Sequence, residues 1–228
     1  ALGLPPATTA AAGVTVTSIG VDPFSQATCA ASGTTNHQAD VEPDSFAYGS
    51  EILAAYQVGR IYNGGACAIG WSFSSDDGAT WTSGLLPSIT KWTTAIGAGS
   101  WDRVTDPAIA YDARHGLWLI STLSLTESGG VQGKSVLTSS STDGTHWAAP
   151  VTTDASSLNP DKNWIVCDNT STSPYYGNCY TEWDDNGAGN KLYMSTSSDG
   201  GRTWSAKATN GAGVIGGQPV VRPDGIVI

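Results

Sequence analysis

An eight-residue pattern occurs three times along the chain and constrains its fold more than any other feature. Ser74-Ser75-Asp76-Asp77-Gly78-Ala79-Thr80-Trp81 and Ser197-Ser198-Asp199-Gly200-Gly201-Arg202-Thr203-Trp204 fit S-x-D-x-G-x-T-W at every fixed position. The middle copy, Ser140 to Trp147, is degenerate. There Thr142 takes the Asp place and His146 the Thr place, Gly144 and Trp147 stay in register, and Asp143 can serve the turn one position later. The tryptophans are 66 and 57 residues apart, a period that signals a repeated supersecondary unit. Each fixed residue has a physical reason. The Asp carboxylate accepts backbone N–H groups of its own turn, Gly supplies a conformation that a β-carbon penalises, and Trp anchors the next strand between neighbouring sheets.

A second repeat runs ahead of the first. Val41-Glu42-Pro43-Asp44 opens a strand, a turn follows at Tyr48 to Ser50, and Glu51 to Val58 is apolar. Thr105-Asp106-Pro107 opens Ala108 to Tyr111, with a turn at Asp112 to Gly116 and a strand from Leu117 to Leu125. Pro160-Asp161-Lys162 opens Trp164 to Val166, which pairs with Cys179 to Trp183 after a long loop. Gly217-Gln218-Pro219 starts the motif again, with Arg222-Pro223-Asp224-Gly225 as its turn. Each unit reads as four antiparallel strands with the eight-residue pattern between the third and fourth. Helical periodicity is absent from these segments.

The eight-residue pattern resembles the Asp box, or bacterial neuraminidase repeat, of sialidase-like β-propellers. The resemblance implies an all-β propeller of four-stranded blades, about three and a half of them in this chain. Approximate boundaries are 41–100, 101–155, 156–212 and the start of a fourth at 213–228. Residues 1–40 form an N-terminal segment, in which Val14 to Ile19 is expected to close the ring as a strand and Ala1 to Gly13 to be a loose terminus. The missing blades would come from the rest of a longer chain or from another subunit. Within the boxes Ser74, Asp76, Gly78, Trp81, Asp143, Gly144, Trp147, Ser197, Asp199, Gly201 and Trp204 are expected to be structural, on the face opposite the family's active site.

Composition narrows the class. Only 13% of the 228 residues are charged, 39% are hydrophobic and Trp reaches 9, which excludes a disordered chain. No window approaches 18 uninterrupted apolar residues, so no membrane-spanning helix is expected. A net charge of -10 disfavours nonspecific nucleic-acid binding, which needs a basic surface. Cys29, Cys67, Cys167 and Cys179 lack zinc-site spacing and fit two disulfides of a secreted protein. Cys167 and Cys179, 12 apart around a polar loop, are expected to bridge two strands, which leaves Cys29 with Cys67. Ala1 begins no charged and apolar leader, so an export signal is expected to have been removed.

In sialidase-like enzymes the site lies where the innermost strands begin. Alignment of the repeats puts Glu42, Asp106, Asp161 and Gln218 there, with Asp44 one step further along. Converging carboxylates can divide acid and base roles and so make Glu42, Asp44, Asp106 and Asp161 candidate catalytic groups. The structural alternative is that they cap inner-strand N–H groups, and for Asp106 this is the expectation. They could also hold a structural cation such as calcium; no other cofactor is called for, and His37, His115 and His146 show no ligand spacing. Trp101, Arg103, Lys162, Tyr175 and Tyr176 are candidate glycan contacts, while Arg60 matches an arginine of the family's second strand. Asn169-Thr170-Ser171 is a glycosylation sequon. Sialidases open their first blade with Arg-Ile-Pro; here Val41 stands at the arginine place, and the loop Gly59 to Gly65 contains no carboxylate. Sialic acid cleavage is therefore not expected. The preferred reading is a noncatalytic extracellular carbohydrate-binding or assembly module, and the alternative is a glycoside hydrolase of another specificity.

Overall fold

The computed structural model describes residues 16–36 and 39–228. Ala1 to Gly13, the first two residues of the expected Val14 to Ile19 strand, and His37 lie outside them. Val16 to Ile19 forms no strand. Its end instead lies against the first strand group, where the Ser72 hydroxyl donates to the Ile19 carbonyl at 2.6 Å.

The chain is all-β, with two short 3-10 turns. A two-residue strand, β1 (Thr35–Asn36), pairs with β3 and leads into three successive antiparallel units. The first is β2 (Val41–Tyr48), β3 (Glu51–Ile61), β4 (Ala66–Ser74) and β5 (Thr82–Leu85). The second is β6 (Arg103–Asp112), β7 (Leu117–Thr126), β8 (Gln132–Ser141) and β9 (Val151–Asp154). The third is β10 (Pro160–Cys167), β11 (Cys179–Asp185) and β12 (Lys191–Ser197). Its outer edge is completed only by isolated bridges from Met194 to Ala208 and from Lys191 to Gly213. One bridge, Ala66 to Val104, joins the first two units into a single sheet. A final hairpin pairs Val221 with Val227 around the expected Arg222 to Gly225 turn.

The boxes behave as local chemistry demands. Ser74 and Ser197 each donate to the box Asp at 2.8 Å, and the Asp collects the N–H and hydroxyl of Thr80 or Thr203. These donors hold the Asp76 and Asp199 carboxyls down at about 2; for Asp76 the Thr80 N–H is the largest cause, and for Asp199 the Thr203 bonds outweigh partial burial. In the middle box Ser141, not Ser140, bonds Asp143, and the His146 ring takes the place of the threonine hydroxyl at 2.7 Å. That box is one residue shorter, which is why the fixed pattern reads one position out there. Each box tryptophan donates its Nε1–H to the carbonyl of the box glycine.

The units pack face to face. Gly144 lies against Phe73 of the first unit and Gly201 against Leu119 of the second, so the second and third boxes are each seated on the unit before. Between the first two units lies the main core of Leu53, Ile69, Trp71, Phe73, Ile109, Trp118 and Ile120. Trp118 and Trp183 are the fully buried tryptophans, whereas Trp81, Trp147 and Trp204 are half-buried. The box tryptophans therefore plug the rim of the core, with a smaller cavity cost than full burial implies. Both expected disulfides are present, Cys29–Cys67 and Cys167–Cys179. Cys167 and Cys179 are direct cross-strand partners in β10 and β11.

Candidate functional site

The first strand of every unit starts with the same irregularity. The ladder slips between Val41 and Asp44 in β2, between Thr105 and Ala108 in β6, and between Asp161 and Trp164 in β10. Inside each bulge one residue takes a positive φ: Glu42 at 51°, Asp106 at 49° and Lys162 at 50°. Such backbone is uncommon for residues other than glycine, and bulges of this kind re-aim a side chain. Gly216, ahead of the final hairpin, also has a positive φ, 77°.

This geometry corrects the alignment made from sequence. Lys162, not Asp161, is the counterpart of Glu42 and Asp106. The extra residue in a bulge is invisible to a pattern matched by residue type. The three bulges converge on one cleft of about 360 Å³, lined by Glu42, Asp44, Asp106, Lys162, Asn163 and Gly217 among others. A second hollow on the outer side of the same residues adds Arg60, Asp161 and Asn186.

Within the cleft the charges are interleaved. Gln57 donates its amide to Glu42 Oε2 and, at 3.0 Å, to Thr105 Oγ1. Thr105 donates to Asp106 Oδ1 at 2.6 Å, and Lys162 Nζ lies 3.6 Å from Asp106 Oδ2. Burial, and then the Asp106 charge, push the Glu42 carboxyl up, while Lys162 and Arg60 oppose them. The Asp106 charge in turn raises the Lys162 ammonium.

The remaining candidates divide. Asp44 caps the neighbouring unit, accepting the Ile109 N–H at 2.7 Å. Asp161 accepts the N–H of Lys162 and the Asn186 amide, both at 3.0 Å, and so ties down its own bulge. Asp106, expected to be a cap, has no backbone N–H bonded to its carboxylate. Arg103 is 0% exposed and its guanidinium is used by Glu127, Asn63, Gly64 and Ser32, which takes it out of contact with a ligand. Trp101 packs against the main core. Tyr175 and Tyr176 follow the far end of β10, where the Tyr176 carbonyl accepts from Arg114 at 2.9 Å, and do not reach the cleft. The sequon side chain of Asn169 is bonded at both ends, to Ala113 and Tyr111.

Sequence reasoning missed Glu182 and Asp184, both buried, on the same face of β11. Asp184 accepts the Gly216 N–H at 3.1 Å. Both Glu182 oxygens lack partners, and a β-carbon at Gly217 would stand 2.8 Å from Glu182 Oε2. Burial, then the Asp184 charge, push the Glu182 carboxyl from 4.5 up to about 8. The folded chain therefore holds a proton here that the unfolded chain has lost, and stability should fall as pH rises from 4.5 to about 8. Glu182→Gln is expected to flatten this decline and to be the more stable form at the alkaline end of that range. Urea midpoints that keep the same pH slope in the variant would assign the slope elsewhere. Among the described residues no group of three or more His, Cys, Asp or Glu is arranged to hold a metal ion, and no helix is long and apolar enough to cross a membrane.

No family model and no curated protein matches the chain. Solved structures do. A protein of unknown function from Dyadobacter fermentans superposes with a TM-score of 0.59 at 18% identity, over 82% of this chain and 55% of that one. The NanB sialidase of Streptococcus pneumoniae gives 0.54 at 14% identity, over 80% of this chain and 26% of that one. An α-L-arabinanase of Penicillium chrysogenum, solved with arabinobiose, gives 0.54 at 13%, over 85% and 51%. The chain thus spans about half the length of these proteins or less. At such identities the likeness is one of fold, an all-β architecture shared with sialidases and arabinanases.

Proposed function

We propose that the three units and the final hairpin are blades of a sialidase-like Asp-box β-propeller, which serves outside the cell as a noncatalytic carbohydrate-binding module. The observation that carries this reading is the cleft where the bulges of the three units converge. It presents Glu42, Asp106 and Lys162 side by side, a mixture of acceptors and one donor suited to sugar hydroxyls. Two disulfides fit an oxidising compartment. The fold likeness to a sialidase and an arabinanase agrees with a glycan ligand by analogy of fold. Neither cofactor nor metal enters the reading.

The second reading, a glycoside hydrolase, is favoured by the raised Glu42 carboxyl beside Asp106, since catalytic pairs separate their carboxylates in this way. Against it, Glu42 Oε2 is engaged by Gln57 and Asp106 Oδ1 by Thr105, so one oxygen of each acid is already committed. Glycan-array binding with turnover assays decides between the two. The binding module is expected to retain defined oligosaccharides without cleaving them. Asp106→Asn should abolish that signal at an unchanged melting temperature. Product release abolished by Glu42→Gln would establish the hydrolase, and a silent array would remove the glycan reading altogether.

A further inference from the structure

The cleft has more buried acceptors than donors to meet them. Asn163 lines it, is 3% exposed, and gives its amide nitrogen to Ser121 Oγ at 2.8 Å, leaving Oδ1 without a partner. Asp106 Oδ2 is buried without a hydrogen bond and faces Lys162 only across 3.6 Å. An unsatisfied buried acceptor is costly, and a ligand bringing donors would recover that cost. Arg60 does not fill the need, because its guanidinium donates to the carbonyls of Ile61 and Gly65.

Resting on the glycan reading above, we infer that the cleft is selective for sugars with a free amino group. A protonated amine brings three donors, no acceptor and a positive charge, which complements unpaired oxygens beside Glu42 and Asp106. A hydroxyl brings one donor and two lone pairs. An N-acetyl group replaces the charge with a carbonyl, one more acceptor where acceptors are already in excess. Lys162 is then the resident competitor, an ammonium standing where the ligand's would stand.

The test is isothermal titration of the chain with glucosamine trisaccharide and with its fully N-acetylated form, at about pH 6 and low salt, where the free amines are charged and weakly screened. The free-amine trisaccharide is expected to bind at least about tenfold more tightly. Lys162→Met, which removes the competing ammonium, should widen that preference. Equal or tighter binding of the acetylated trisaccharide overturns the inference, as does a narrower preference for the amine in Lys162→Met. If neutral glycans bind on an array but the free-amine sugar does not, the inference falls and the glycan reading stands. If no glycan binds, both fall.

Discussion

Arg103→Met is expected to destabilise the chain by about 3–5 kcal/mol, the cost of breaking a buried charged network by removing one partner. Its side chain is 0% exposed. Nε donates to Glu127 at 2.6 Å, Nη1 to Asn63 at 2.8 Å and to the Gly64 carbonyl at 2.6 Å, and Nη2 to Ser32 at 3.3 Å. Glu127 also accepts the Ser32 N–H through both oxygens, at 3.0 and 3.1 Å. One guanidinium thus clasps the start of β6, the β3–β4 turn, the segment after β7 and the N-terminal segment. Arg103→Lys keeps the charge but not the planar fork, and should recover only part of the loss. Urea denaturation measures both; a change below about 1 kcal/mol in Arg103→Met would show that the network contributes little beyond its geometry.

Trp118→Ala should cost a similar amount, about 3–5 kcal/mol, through the cavity it leaves. Trp118 is 1% exposed on β7, with ring centroids 6.3 Å from Phe46, 6.1 Å from Phe73 and 4.9 Å from Tyr111. Its Nε1–H donates to Glu51 at 3.0 Å, so the alanine variant also strips Glu51 of a donor. Trp118→Phe should fall between the two, keeping ring volume while losing that bond. Calorimetric melting that showed the alanine variant within a degree of the parent would contradict the placement of this side chain in the main core.

What the sequence displayed clearly was local. An Asp box satisfies its own turn within eight residues, so type and spacing suffice to find it, and even the degenerate middle copy kept Asp143, Gly144 and Trp147 in their roles. The four-strand rhythm and both disulfides follow from the same short-range regularities. Side chains whose environment comes from distant segments were misread. Arg103 stands in a loop-like stretch of sequence, and nothing near it announces Glu127 or Asn63. Asp161 and Lys162 exchange roles because a bulge adds one residue to the strand, and the pairing of β10 with β11 decides where it falls. Glu182 and Asp184 did leave a trace: two acids one residue apart in a strand must share a face, and here the flanking Thr181 and Trp183 are fully buried as well.

The bulge at the head of each inner strand separates two tasks that one residue usually has to share. Backbone pairing is interrupted around Glu42, Asp106 and Lys162 whatever their side chains are, and the adjoining Asp44 and Asp161 secure the turns. An acid, a second acid and a base already occupy the three equivalent places. Exchanging residues among these places should therefore redraw what the mouth recognises while the strands behind it keep their register. Such a rim lets one side chain be changed at a time against a constant backbone.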